Sequence, residues 1–110
     1  MVAKPRDESD LSKMISPLLE EVAKNNTIRE EIIADPLNAN NTVMNFLRFR
    51  IKQPNIVYAV RICEIEDICG LSSYPTSISG NIYAGSRVIS SGLIGGAQPK
   101  RVSIFLWIEG

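Results

Sequence analysis

At 110 residues, 45% of them hydrophobic and 22% charged, the chain has the size of one domain and enough apolar residues to bury a core. Twelve basic residues balance twelve acidic ones, and the balance holds in each half, which argues against a general nucleic-acid or polyanion binder. No apolar run approaches the roughly 20 residues that a membrane span needs, and residues 1–8 lack the apolar centre of a signal peptide, so the expected location is the cytoplasm.

Residues 1–8 are polar and expected to be disordered, 9–52 read as mainly helical, and 56–110 read as mainly β. From Leu11 the apolar residues fall at Leu11, Met14, Ile15, Leu18, Leu19 and Val22, the stripe of an amphipathic helix. Pro17 lies inside that stripe and predicts a kink, or a fresh start with Ser16 as N-cap. Asn25-Asn26 ends the helix, and Thr27-Ile28-Arg29-Glu30 then reads as a capping box opening a short helix with Ile28, Ile32 and Ile33. Asp35-Pro36 stops it, Asn38–Asn41 reads as a polar loop, and a third helix is expected to start near Thr42. Residues 42–52 are ambiguous. Leu47, Phe49 and Ile51 alternate with Arg48, Arg50 and Lys52, which also fits a strand with one charged face.

From Ile56 the period changes to two, and Ile56–Cys63 is β-branched and aromatic enough for a strand. Ile82-Tyr83-Ala84 and Arg87-Val88-Ile89 suggest a second strand interrupted at Gly85, where a bulge is expected. Gly95-Gly96 fits a turn. Val102–Ile108 is almost wholly apolar, as in a strand central in its sheet or docked against a partner. The expected fold is α+β, with two or three N-terminal helices packed on a small, mostly antiparallel C-terminal sheet built from residues near 56–65, 81–90 and 100–109.

The chain has no histidine, which removes the commonest general base and every Ser–His or Cys–His nucleophile pair. It also lacks a phosphate-binding glycine loop. The expectation is therefore a protein that is not an enzyme and needs no cofactor. Glu64, Glu66 and Asp67 are the weak metal candidates, since Glu64 and Glu66 on a strand would share a face and a hard cation; a solvated strand end is the plainer reading. Arg48, Arg50 and Lys52 interleave with Phe46 and Phe49 as in single-strand nucleic-acid binding, against the plainer reading of an amphipathic element with a charged outer face. Cys63 and Cys69 are read as reduced thiols, with Cys63 buried, because the spacing is not C-x-x-C and no secretory signal is seen.

Residues 15–66 resemble the nitrile-hydratase-like leader region of ribosomal peptide precursors. The similarity rests on Ile28-Arg29-Glu30-Glu31-Ile32-Ile33-Ala34-Asp35-Pro36, followed by Gln53–Val60 as the start of a β segment. It implies cleavage after Gly96 and release of Ala97–Gly110.

The residues themselves favour a different function: protein–protein association by an assembly or accessory subunit, through the apolar C-terminal strand. Phe105, Trp107, Ile104, Leu106 and Tyr83 are the candidate interface residues, and the partner is a second copy or another protein. No membrane partner is expected. A nucleic-acid accessory role for Arg48, Arg50 and Lys52 and the precursor reading are the alternatives.

Overall fold

The computed structural model describes residues 8–52, 55–67, 69–70, 81–90 and 98–108. Three helices precede three strands: α1 (Glu8–Lys24), α2 (Asn26–Ala34), α3 (Pro36–Arg50), β1 (Ile56–Glu64), β2 (Tyr83–Ile89) and β3 (Lys100–Ile108). The strands form one antiparallel sheet in the order β1-β3-β2, so the fold is α+β as expected, with the C-terminal strand at the centre. Residues 1–7 and the Gly95-Gly96 turn lie outside the described residues, while Glu8, expected to be disordered, opens α1.

Leu11, Ile15, Leu18, Leu19 and Val22 are buried along one stripe of α1. That stripe runs past Pro17 without a break, and α1 is a single helix with the proline inside it rather than two helices meeting at Ser16. Burying a continuous apolar face outweighs the one backbone hydrogen bond that Pro17 cannot make. The second helix also starts earlier than the capping box suggested. Asn25 is its N-cap, with Oδ1 accepting the Ile28 N–H at 3.0 Å, and Thr27 lies within the first turn.

Asp35 serves two helices. Its N–H donates to the Glu31 carbonyl at 2.7 Å to close α2, and its Oδ1 accepts the Asn38 N–H at 3.4 Å to open α3. Pro36 occupies the first turn of α3, where its missing N–H matters least. The third helix therefore begins six residues before Thr42, and Asn38–Asn41 is helix, not loop. Ala39, Val43 and Leu47, each one helical step of four apart, are buried, as is the C-cap Ile51. Phe49 is 73% exposed, so the alternation after Leu47 is incidental and the segment to Arg50 is helical.

The register runs from Ile56 opposite Ile108 to Glu64 opposite Lys100 on one side of β3, and from Tyr83 opposite Leu106 to Ile89 opposite Lys100 on the other. Opposed residues share a face. One face carries Ile56, Val60, Ile89, Val102, Ile104 and Leu106 into a common core with the helices. Helix α1 lies on β2 and β3, α3 lies on β1, and α2 joins the two helices. Gly85 sits in an unbroken ladder opposite Ile104, with no bulge. Its lack of a side chain has another cause: a Cβ there would stand 2.5 Å from Ile15 Cγ2 and 3.4 Å from Leu19 Cδ1. The glycine is what lets α1 settle on the sheet.

Candidate functional site

The residues singled out for chemistry do not converge. β1 ends at Glu64, so Glu66 and Asp67 belong to the following turn, closed by the Asp67 N–H on the Glu64 carbonyl at 3.1 Å. Glu64 and Glu66 therefore do not line one strand face, and the Glu64 carboxylate is held by Lys100, its neighbour across the sheet. Among the described residues no three or more acidic, Cys or His side chains gather as a metal would require. Arg50 is also occupied: it pairs with Glu21 at 2.8 Å and lies over the Phe46 ring, 5.3 Å from its centroid. Arg48 is exposed in the last turn of α3, and Lys52 is exposed just beyond the helix end.

The cysteine expectation is half right. Cys63 is buried, but it is joined to Cys69 in a disulfide with a Cα–Cα separation of 5.8 Å. The turn after Glu64 folds back and brings Cys69 beside the end of β1, within bonding reach. Arg61 supports the same return by donating to the Gly70 carbonyl at 2.8 Å. Spacing along the chain said nothing of this fold-back.

Four of the five expected interface residues are buried within a single chain. Ile104 and Leu106 are fully buried against the helices. Phe105 and Trp107 lie on the opposite face, outside the helical core, yet are only 6% and 8% exposed. Tyr83 is half-buried at the start of β2. Being central, β3 also has a hydrogen-bonded strand on both sides.

The two outer strands differ. The β1 edge is approached by α3, whose Asn40 Nδ2 donates to the Val60 carbonyl at 2.8 Å. Among the described residues no strand pairs with the outer edge of β2, and Arg29 bonds the Ser90 carbonyl just beyond its end, at 2.7 Å. Beside that edge runs an open groove of about 390 Å³, walled by Ser12, Ile15, Ser16 and Leu19 of α1 and floored by Ala84–Arg87 of β2. Arg87 is exposed, and Val88, on the other face, is 51% exposed.

Neither Arg87 nor Val88 stood out in the sequence. Gly85 was the visible signal there, and a glycine inside a strand marks close backbone approach as readily as a bulge. Among the described residues, no helix is long and apolar enough to cross a membrane. A scan against family models found no match to this chain, and comparisons with curated proteins and with solved structures found none either.

Proposed function

We propose that this chain is a non-enzymatic association domain, an assembly or accessory subunit that engages another protein through its sheet. The observation that carries this reading is β2: an edge strand with exposed residues on both faces and no strand beside it among the described residues. An unpaired edge offers a row of backbone donors and acceptors that a second chain can complete, the mode known as β-augmentation. The C-terminal strand remains the sheet's centre, but its side chains are already covered. Association passes to the neighbouring edge.

Release of Ala97–Gly110 by cleavage after Gly96 would remove β3, the one strand with which both β1 and β2 pair. The association reading requires no such cut. The disulfide bears on location: such bonds persist where thiols are oxidised and are rare in a reducing cytoplasm. We infer from the Cys63–Cys69 pairing an oxidising compartment in place of the cytoplasm.

Site-specific photo-crosslinking in the source cells tests the association reading. A photoreactive phenylalanine analogue at position 88 is expected to give a discrete adduct of higher mass, and the same analogue at position 52, just beyond the C-terminal end of α3, to give none. No adduct from position 88, or one from position 52 alone, contradicts it.

A further inference from the structure

We infer that the β2 edge takes an extended acidic segment of another protein, with carboxylates over Arg87 and aliphatic side chains beside Val88; this rests on the association reading above. Adjacent strand residues point to opposite faces. Arg87 therefore stands on the helix side of the sheet, beside the groove, and Val88 on the other side.

An arriving strand in register would place one alternate set of side chains against α1 and the other against Val88. The helix side presents the Ser12 and Ser16 hydroxyls with the Arg87 guanidinium, which has no ion-pair or hydrogen-bond partner among the described residues. That is a surface for an anionic, hydrogen-bond-accepting side chain. The other side presents an exposed aliphatic.

The charges around the edge point the same way. β2 contains Arg87 and no acidic residue, and β3 contains Lys100 and Arg101 and none either. Glu64 answers Lys100 alone. Across the sheet from Val88, Arg101 has its Nε buried without a hydrogen-bond partner. β2 and β3 thus carry three cations and no carboxylate of their own, although the chain as a whole is neutral.

A second copy of this chain is the poorer occupant. Two β2 edges paired antiparallel would bring together strands with a cation each and no carboxylate, so neither Arg87 would be neutralised. An acidic, alternately aliphatic segment satisfies the backbone edge, the guanidinium and Val88 together.

The test uses the full chain and two synthetic capped octapeptides, one alternating valine with glutamate and one alternating valine with lysine. Binding is read from backbone amide shifts. The glutamate peptide is expected to shift the amides of residues 83–89 and to bind at least about threefold tighter than the lysine peptide, the worth of one favourable exposed ion pair. Arg87→Glu should reverse that preference and Arg87→Lys should keep it. Equal binding of both peptides, shifts centred away from β2, or no binding of the glutamate peptide overturns the proposal. If the crosslink from position 88 persists while the peptides fail, the edge has a partner of other chemistry and only the acidic assignment falls. An adduct of twice the chain's own mass identifies a second copy and likewise overturns it.

Discussion

Single residues carry much of what distinguishes this domain from a generic helix-on-sheet fold. Gly85 is the clearest case, because the space its side chain would take is filled by Ile15, itself buried and unable to withdraw cheaply. Gly85→Ala should lower stability by about 1–3 kcal/mol in denaturant unfolding, the usual range for overpacking. Gly70→Ala is the matched control, since nothing lies within 4 Å of a Cβ there, and it should be nearly neutral.

The disulfide gives a second prediction at this scale. Cys63 and Cys69 are six residues apart, a short loop whose closure is worth about 2 kcal/mol by chain entropy. Reduction should lower the unfolding free energy by about that much, and the native protein should show no titratable thiol. Two free thiols in the non-reduced, folded protein would contradict the pairing.

At the scale of elements, the helix boundaries show how one residue can join two helices. Asp35 closes α2 with its backbone N–H and caps α3 with its carboxylate, so Asp35→Ala, which keeps the N–H, should cost about 1 kcal/mol in denaturant unfolding, the usual worth of a cap, by loosening the start of α3. Pro17 works in the opposite direction. It is exposed and interior to α1, so Pro17→Ala should stabilise the protein, by up to about 3 kcal/mol. A loss of stability there would mean that the proline's ring contributes packing that its exposure does not suggest.

These same elements mark where the sequence was readable. The stripe from Leu11 to Val22 and the alternation from Ile56 to Cys63 each repeat over enough residues to declare helix and strand, and α1 and β1 appear where expected. Asn38–Asn41 looks like a loop in sequence because three of its four residues are asparagine, yet it is helix. Ala39, small and easily overlooked, is the one of the four that is buried in the core, and Asn40 is turned to the Val60 carbonyl of β1. The Asp35-Pro36 step held the missing information: the pair that stops one helix is also a good start for the next. The proposed association edge was harder to see, since it rests on β2 having no second strand beside it among the described residues, and strand order is a tertiary fact.

For the molecule as a whole, the order β1-β3-β2 decides what each part can do. It puts the most apolar strand where both edges are paired and leaves the most polar strand, β2, outermost. Trp107 then belongs to the fold. Trp107→Ala should cost about 3–5 kcal/mol of folding stability, as large-to-small changes at buried aromatics do. An unchanged folding stability combined with a shift to a smaller species in sedimentation would return Trp107 to the interface.

Everything proposed for partner binding depends on the outer edge of β2 being open in the free chain, and amide hydrogen exchange of the isolated protein measures that residue by residue. Amides of β3 should exchange only by global unfolding, while those of β2 that point away from β3 should exchange orders of magnitude faster than their inward-pointing neighbours. Protection of every β2 amide to the level of β3 would mean that the edge is already covered, and the association site would have to be sought elsewhere.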